Sequence, residues 1–344
     1  MKAMLLTAPR KLEMVDFPAP AVAPDEVLVA IKACGICGSD IHGWDGSSGR
    51  RNPPLIMGHE ASGQIVGVGG DVRGWHPGDR VTFDSTIYCG RCAFCAAGEV
   101  NLCENRRVFG VAPAQYRQHG AFAEYLAVPA RLLYRLPDEV SFSHAAMLEP
   151  VAVALHAVQR VRIVASTTTV VVGAGMIGLF VIQALRWKGA REIIAIDLDE
   201  SRLATARELG ATRTLPSQNG SVVEEVHRLT GGRGTDVAFE VVGFEPTLDL
   251  AIAGVRKGGA CVLVGNLAPR TGFALQQVVT RELSLFGSCA SAGEFPQGLE
   301  LIARGVIKID PLVSRIAPLA DGPAWFERLS AIGGSKYLKV ILQP

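Results

Sequence analysis

The sequence has almost no net charge. Its 344 residues include 34 lysines and arginines against 33 aspartates and glutamates, so the formal net charge at pH 7 is +1. Binding to nucleic acid or to an anionic membrane surface relies on clustered positive charge, and this composition gives no sign of such a cluster. We therefore expect a small neutral or modestly charged molecule as the partner, and no nucleic acid.

The sequence also lacks a long apolar run. No stretch approaches the ~20 consecutive apolar residues that a membrane-spanning helix needs. The apolar run near residue 1 is too short for the core of a signal peptide, and charged residues follow it at once. Together these features predict a protein that stays away from the membrane and is located in the cytoplasm.

Eight cysteines are present, and four of them lie within fifteen residues. Thiols stay reduced in the cytoplasm, so a cluster of cysteines in a cytoplasmic protein indicates metal ligands rather than disulfide bonds. Cys89, Cys92, Cys95 and Cys103 have the spacing C-x2-C-x2-C-x7-C, which suits a tetrahedral zinc ion with no open position. An iron–sulfur cluster is the alternative, although no proline follows the fourth cysteine as in bacterial ferredoxins. We predict a structural zinc site.

The length of the chain favours two domains rather than one core. Up to about residue 150, short β-like runs are broken by glycine and proline, as in a mostly β domain. Apolar strands then alternate with helical stretches, which predicts a parallel sheet covered on both faces. The predicted fold class is therefore α/β, with a first domain at 1–150 and 286–344 and a second at 151–285. Residues 217–221 are interpreted as a surface loop.

A glycine-rich segment, Gly173-Ala174-Gly175-Met176-Ile177-Gly178, follows an apolar run and opens a stretch compatible with a helix. Strand, glycine turn and helix in this order are typical of a dinucleotide-binding Rossmann unit. The glycines allow a tight turn, and the helix N-terminus offers unpaired N–H groups to a pyrophosphate. The segment predicts a dinucleotide site.

Asp197 ends the next predicted strand, nineteen residues after Gly178. A carboxylate at that place accepts hydrogen bonds from ribose hydroxyls and repels a 2′-phosphate, which favours NAD over NADP. The alternative is that Asp197 only caps the following helix. Arg202 could weaken this preference for NAD, since its guanidinium group could stack on adenine or reach a phosphate. The residues predicted to contact the dinucleotide are Gly173, Gly175, Ile177, Gly178, Asp197, Arg202, Val264 and Gly265.

Two further segments, at residues 34–42 and 58–63, resemble the zinc-containing medium-chain alcohol dehydrogenases. They read Cys-Gly-Ile-Cys-Gly-Ser-Asp-Ile-His and Gly-His-Glu-Ala-Ser-Gly. The cysteine cluster and the dinucleotide motif follow in the order of that family, so the resemblance covers essentially the whole chain. It implies a GroES-like β-rich catalytic domain, a doubly wound Rossmann domain, and assembly into a homodimer or homotetramer.

The resemblance also implies a set of ligands for a catalytic zinc. Cys37 and His59 match two of them. Glu149, which precedes Pro150, stands where other alcohol dehydrogenases of the family have a second cysteine, and sorbitol-dehydrogenase-like members share this Glu-Pro pair. Glu60 also matches a glutamate that binds zinc or lies just outside its coordination shell. The choice between Glu60 and Glu149 as third ligand stays open.

Ser39 and His42 match a hydroxyl and a histidine that, in other members of the family, carry the substrate proton toward solvent. The resemblance therefore implies catalytic roles for both. The alternative for Ser39 is a local hydrogen bond to the backbone of its glycine-rich turn, and the alternative for His42 is an ordinary surface position.

These features predict an enzyme that oxidises a secondary alcohol, either a polyol or a sugar alcohol. Zinc would act as a Lewis acid, and NAD would accept the hydride. The alternatives are a zinc-dependent butanediol or threonine dehydrogenase, a sugar-alcohol-phosphate dehydrogenase, and, in a different class, a catalytically silent NAD-binding protein.

The sequence departs from the sorbitol dehydrogenase pattern at two places. Gly287 and Ser288 stand where those enzymes typically carry an arginine and a tyrosine, and Gly43 stands where they often have a substrate-side tyrosine. The identity of the polyol is therefore open. Arg50 and Arg51 could contact a phosphate, although adjacent arginines in a loop are usually solvated.

Overall fold

The structure is a computed structural model that describes residues 1–218, 222–331 and 336–344. The loop predicted at 217–221 lies outside these ranges from residue 219 onward. The contacts within the chain define two compact units. Unit 1 consists of Met1–Glu149, Phe295–Gly305 and Ile309–Pro344, and unit 2 of Pro150–Glu294 and Val306–Lys308.

The strands are joined mainly by loops in the first part of the chain and mainly by helices in the second. In chain order they are β1 Lys2–Ala8, β2 Lys11–Asp16, β3 Glu26–Gly35, β4 Leu55–Ile56, β5 Glu60–Val68, β6 Arg80–Phe83, β7 Thr86–Ile87, β8 Arg107–Val108, β9 Tyr125–Pro129, β10 Leu133–Arg135, β11 Thr168–Val172, β12 Glu192–Asp197, β13 Arg213–Pro216, β14 Thr235–Glu240, β15 Val255–Leu263, β16 Ser284–Gly287, β17 Val313–Pro318 and β18 Lys339–Gln343.

The helices are short. They are α1 Gly38–Trp44, α2 Ala93–Ala96, α3 Phe142–Ala146, α4 Leu148–Gln159, α5 Met176–Trp187, α6 Glu200–Glu208, α7 Val222–Leu229, α8 Glu245–Gly254, α9 Leu275–Thr280, α10 Phe295–Ala303 and α11 Gly322–Ser330, with single 3-10 turns at Val100–Leu102, Ala130–Leu132, Asp310–Leu312 and Leu319–Asp321. None of the described helices combines the length and the apolar character that crossing a membrane requires.

Unit 1 is built on a sheet that has seven strands among the described residues, in the order β10-β6-β5-β3-β18-β17 with β9 also paired to β3. Side chains of β3 alternate between buried and less buried positions, as expected for a strand with one face against a core. Four fully buried phenylalanines, Phe83, Phe109, Phe122 and Phe326, fill that core. Strand β18 pairs antiparallel with β3 at Cys34 and Gly35, so it lies beside the segment that leads into α1.

Unit 2 is built on a parallel sheet with the order β13-β12-β11-β14-β15-β16 in the part of the chain that the structure describes. Counted from β11, this is the order 3-2-1-4-5-6 of a doubly wound Rossmann sheet. Strands β11 and β12 are almost continuously buried, because a sheet covered by helices on both faces has no solvent-facing side. Strand order reverses between β11 and β14, and ligands of such sheets bind at the carboxyl ends of the strands near that point.

The sequence predicted that the chain leaves the second domain at residue 286. That residue falls inside β16, which pairs in parallel with β15 and so belongs to the sheet of unit 2. The chain re-enters unit 1 at Phe295, the first residue of α10. A strand of four residues at the edge of a sheet carries too little pattern to place such a boundary from sequence.

Candidate functional site

Cys37, His59 and Glu60 lie together in unit 1, and one potential ligand atom from each lies within 4.8 Å of the others. Two paired strands position them. Cys37 follows the end of β3 and caps α1, whereas Glu60 begins β5 and lies opposite Gly35 in the antiparallel ladder. His59 and Glu60 are buried and Cys37 is half-buried. A thiol, an imidazole and a carboxylate at this spacing suit zinc.

Asp40 lies behind this group and was not identified from the sequence. It is fully buried, accepts a hydrogen bond from the backbone N–H of Cys37 at 3.0 Å, and has Oδ1 3.3 Å from Nδ1 of His59. Burial raises the pKa of Asp40, but His59 and Arg51 outweigh burial and hold it at about 2. Burial likewise lowers the pKa of His59, and Asp40 more than offsets this, so in the metal-free chain that pKa lies well above 6.5.

Lys339 is a second residue that sequence reasoning missed. Its Nζ lies 2.5 Å from Oε2 of Glu60, and both side chains are buried. Burial lowers the pKa of Lys339, but the charge of Glu60, its hydrogen bond to Lys339, and the charges of Cys37 and Glu149 together outweigh burial and raise the pKa above its usual value. The available signal was a lysine directly before the apolar run Val340-Ile341-Leu342 of strand β18, where a buried charge needs a partner.

Glu149 lies near the group but is not part of it. Among the described residues, the set whose ligand atoms lie mutually within 4.8 Å contains Glu60 and not Glu149. Glu149 is half-buried in the first turn of α4. Burial raises its pKa to about 7, His59 lowers it and Glu60 raises it, so the carboxyl group responds to the charges of the group.

Ser39 and His42 both lie on α1, but they have different surroundings. Ser39 is exposed, and its Oγ accepts a hydrogen bond from Nη2 of Arg51 at 3.0 Å. His42 is half-buried, with Nδ1 3.4 Å from Oγ of Ser47. Within the described residues these two side chains are not hydrogen-bonded to each other.

The four clustered cysteines form a separate group in unit 1. Their sulfur atoms lie within 4.8 Å of one another, and the sulfurs of Cys92 and Cys95 are 3.5 Å apart. The backbone N–H groups of Arg91 and Cys92 lower the pKa of Cys89 to about 6, which favours its thiolate. Burial and a side-chain hydrogen bond with Cys92 raise the pKa of Cys95 to about 12, so the four sulfurs do not all ionise readily without a cation. A central divalent cation would stabilise all four sulfurs as thiolates, so the group fits a structural zinc ion.

The glycine turn of unit 2 has the predicted form. Gly173 follows β11, Gly175 caps the N-terminus of α5, and Ile177 lies in the first turn of that helix. A Cβ atom on Gly178 would collide with the carbonyl oxygen of Gly173, so only glycine allows the helix to start this close to the strand. The turn therefore places the N-terminus of α5 directly after the carboxyl end of β11.

Asp197 lies at the end of β12, beside this turn. Its Oδ2 accepts a hydrogen bond from the N–H of Ala174 at 2.7 Å and its Oδ1 one from Asp199 at 2.9 Å. Helix α6 is capped by Asp199 rather than by Asp197, so helix capping does not explain Asp197. Arg202 lies alongside, with Nη1 4.0 Å from Oδ2 of Asp197.

Val264 and Gly265 follow β15 at the same carboxyl edge. The N–H groups of both residues donate hydrogen bonds to the carbonyl oxygen of Glu240, at 2.9 and 3.0 Å. The residues predicted to contact the dinucleotide therefore follow strands β11, β12 and β15 of one sheet. Unit 2 offers the edge at which sheets of this order bind nucleotides.

The fold and these groups define a zinc-binding dehydrogenase with a Rossmann unit, and comparisons with known proteins place it further. Residues 23–138 match the Alcohol dehydrogenase GroES-like domain, and residues 177–304 match the Zinc-binding dehydrogenase domain. The sorbitol dehydrogenase of Bacillus subtilis is 34% identical over 100% of this chain and 97% of that protein. The D-arabitol-phosphate dehydrogenase of Enterococcus avium is 32% identical over 97% and 94%.

A comparison with solved structures points to the same class of protein. A zinc-binding dehydrogenase from Sinorhizobium meliloti, bound to NADP, superposes with a TM-score of 0.91 and 34% identity over 100% of this chain and 99% of that one. The chain therefore belongs to the zinc-containing medium-chain alcohol dehydrogenase family, and polyol dehydrogenases are among its relatives. The predicted family, fold class and enzyme class are confirmed, as is the use of zinc with a nicotinamide dinucleotide.

Proposed function

We propose that this chain oxidises a secondary hydroxyl of a polyol to a ketone and transfers the hydride to NAD. The observation that carries the proposal is the group formed by Cys37, His59 and Glu60, backed by the buried Asp40. The similarity to sorbitol and arabitol-phosphate dehydrogenases supports a polyhydroxy substrate.

In this proposal Cys37, His59 and Glu60 hold the catalytic zinc, and the four-cysteine group holds the structural one. When bound, zinc supplies Lewis acidity toward a hydroxyl oxygen, and NAD supplies the acceptor for a hydride. Asp40 faces Nδ1 of His59, which leaves Nε2 as the nitrogen for a metal and fixes the orientation of the ring. Lys339 restrains one oxygen of Glu60 and leaves the other for ligation.

Ser39 would take the proton of the substrate hydroxyl, because its Oγ is exposed two residues after Cys37. His42 would receive protons farther along the same helix. Glu149 would accept a hydrogen bond from a second hydroxyl of the substrate, since its carboxyl group lies close enough to His59 and Glu60 to respond to their charges. Apolar alcohols would leave that group unpaired, at a cost of about 1 to 3 kcal/mol, which corresponds to a tenfold or greater preference for polyols.

A substrate panel at fixed NAD concentration tests this assignment. It should contain four- to six-carbon polyols, a polyol phosphate, butanediol, threonine and simple primary alcohols. We expect at least one polyol or vicinal diol to give the highest kcat/KM. Ethanol or benzyl alcohol exceeding every polyol and diol would overturn the substrate class.

NAD is proposed as the preferred cofactor because the carboxylate of Asp197 lies beside the glycine turn, where it would repel a 2′-phosphate. Arg202 lies close enough to weaken that preference, and the similar Sinorhizobium protein was solved with NADP. We expect a higher kcat/KM with NAD than with NADP, and a smaller ratio in Asp197→Ala. Equal efficiency of the wild-type protein with both cofactors would contradict this role for Asp197.

We also propose that the protein forms a homo-oligomer in the cytoplasm. Strand β16 ends the sheet of unit 2, and its free edge could pair with a second copy. The helix before it in the chain exposes Leu275 and Val279, with exposed fractions of 61% and 66%. Light scattering should give the molar mass of a dimer or tetramer, and Val279→Lys should lower the measured molar mass. A wild-type monomer at micromolar concentration would contradict the proposal, and cell fractionation checks the location.

A further inference from the structure

Arg51 is buried, although the sequence suggested a solvated pair of arginines. Its exposed fraction is 7%, whereas its neighbour Arg50 is exposed. The side chain lies against Gly43, where a Cβ atom would collide with Cδ of Arg51. Because residue 43 is a glycine, there is room at this position for the side chain of Arg51.

The buried guanidinium group is held by two residues next to the candidate zinc ligands. Its Nη2 donates to Oγ of Ser39 at 3.0 Å and to Oδ1 of Asp40 at 3.1 Å. Nε is buried without a partner in the part of the chain that the structure describes. Burying an arginine with one donor unpaired is costly, so the contacts that Nη2 makes are expected to matter for function or stability.

The contact between Arg51 and Ser39 restricts the serine hydroxyl. A serine oxygen carries one hydrogen and two lone pairs, and the hydrogen of an unrestrained hydroxyl rotates among several positions. Because Arg51 can only donate, it occupies one lone pair and turns the hydroxyl hydrogen away from itself. The second lone pair and the hydrogen are left for other partners on an exposed turn of α1.

We propose that Arg51 is a positioning residue that orients the Ser39 hydroxyl for proton transfer from the substrate; this rests on the proposed function. In that transfer the substrate O–H bond breaks and the proton joins the free lone pair of Ser39. The original hydrogen of Ser39 leaves to a water molecule in the same step, so Ser39 stays neutral. The positive charge of Arg51 disfavours a doubly protonated oxygen, which requires the two movements to be concerted.

The same guanidinium group also contacts Asp40, which faces His59, so a second route to an effect exists. Loss of Arg51 could loosen Asp40 and weaken zinc binding at His59 instead of disturbing Ser39. The two routes differ in a property that does not depend on turnover. Only the route through Asp40 changes the zinc content of the protein.

A double-mutant cycle separates these routes. It uses the full-length protein, zinc-loaded and dialysed, as wild type, Arg51→Met, Ser39→Ala and the double variant, with Arg50→Met as the matched control. Arg51→Lys is added in case the methionine variant folds poorly, because it keeps the charge but cannot contact both Ser39 and Asp40 with the same geometry. The measurements are kcat and KM with the best substrate of the panel, and zinc per chain by elemental analysis.

We expect Arg51→Met to lower kcat about tenfold to a hundredfold, the range for losing a hydrogen bond from a charged donor, with KM changed less than about threefold. In the Ser39→Ala background the same substitution should change kcat less than about threefold. Zinc content should stay at the wild-type value, Arg51→Lys should retain part of the activity, and Arg50→Met should behave as wild type.

Equal losses from Arg51→Met with and without Ser39 would overturn the proposal, as would a loss of one zinc per chain in that variant. Failure of the proposed function gives a different result. A wild-type protein that oxidises no polyol contradicts the substrate class, whereas the coupling of Arg51 to Ser39 is read from whichever alcohol the protein does oxidise.

Discussion

Lys339 and Glu60 form an ion pair that is almost completely buried. Breaking such a pair by removing one partner leaves an uncompensated charge in the interior, which costs about 3 to 5 kcal/mol. We therefore expect Lys339→Met to lower the free energy of unfolding of the metal-free protein by that amount, measured by urea denaturation after treatment with a chelator.

Lys32 provides the matched control, because it is an exposed lysine on the neighbouring strand β3. Lys32→Met should change stability by less than about 0.5 kcal/mol. Adding Glu60→Gln to the Lys339→Met variant should restore much of the loss, since the remaining side chain is neutral. A double variant as unstable as the single one would show that the ion pair is not the cause.

Glu149 predicts a pH dependence of stability. Its pKa in the metal-free folded protein is raised from 4.5 to about 7, so folding favours the neutral carboxyl group. The unfolded chain then binds fewer protons than the folded one between these values, and Glu149 reduces stability as pH rises through that window. Glu149→Gln removes the charge. It should stabilise the metal-free protein by about 1 to 3 kcal/mol at pH 8 and have little effect at pH 4.

Thermal unfolding at both pH values after treatment with a chelator is the measurement. A stabilisation of the same size at pH 4 and pH 8 would mean that packing, and not ionisation, is responsible.

Asp40 has the opposite effect on the pH dependence of stability. Because its pKa is lowered in the folded protein, it adds stability above pH 3.8, and this contribution is lost as pH falls toward 2.

The candidate ligands could be identified from sequence, but their supporting residues could not. Cys37, His59 and Glu60 lie in short segments whose order is recognisable. Lys339 is separated from Glu60 by 279 positions, and no local pattern connects them. The burial of Arg51 could not be predicted from the sequence, where two adjacent arginines suggested a solvated pair. Its burial depends on the absence of a side chain at Gly43, eight positions away.

The connection between β11 and α5 is tightly constrained. A Cβ atom on Gly178 would meet the carbonyl oxygen of Gly173, so Gly178→Ala must displace either the helix or the turn. We expect the affinity for NAD to fall at least about tenfold, because the helix N-terminus no longer faces the pyrophosphate. Calorimetric titration with NAD measures it.

Gly70→Ala is the matched control, because a Cβ atom there meets nothing within 4 Å. It should bind NAD as the wild type does. Wild-type affinity in Gly178→Ala would contradict the role of this connection.

The elements of unit 2 were predictable because their buried strands contain apolar runs. The short edge strand β16 offered no such run, and the sequence-based domain boundary was placed within it.

For the whole molecule, the two separate metal groups predict two zinc ions per chain with different consequences. Cys37→Ser should lose one zinc and all turnover while unfolding at nearly the wild-type temperature. Cys92→Ser should also lose one zinc, but it should lower the free energy of unfolding by about 3 kcal/mol or more, because a structural zinc contributes folding free energy directly.

Elemental analysis and thermal unfolding of the dialysed proteins measure both effects. Cys289→Ser serves as the control, because this exposed cysteine lies outside both groups. A single zinc in the wild-type protein, or equal destabilisation by Cys37→Ser and Cys92→Ser, would contradict the division into a catalytic and a structural ion.

The pairing of Glu60 with Lys339 also has a consequence for synthesis of the chain on the ribosome. The partner of Glu60 is translated 279 residues later, after all of unit 2. At about 5 to 20 residues per second, the delay is roughly a quarter of a minute to a minute. During that interval β3 lacks β18 along one edge, and Glu60 lacks its counter-charge. A nascent chain is therefore expected to fold unit 2 first, and the step that completes the sheet of unit 1 is also the step that neutralises the carboxylate beside Cys37 and His59.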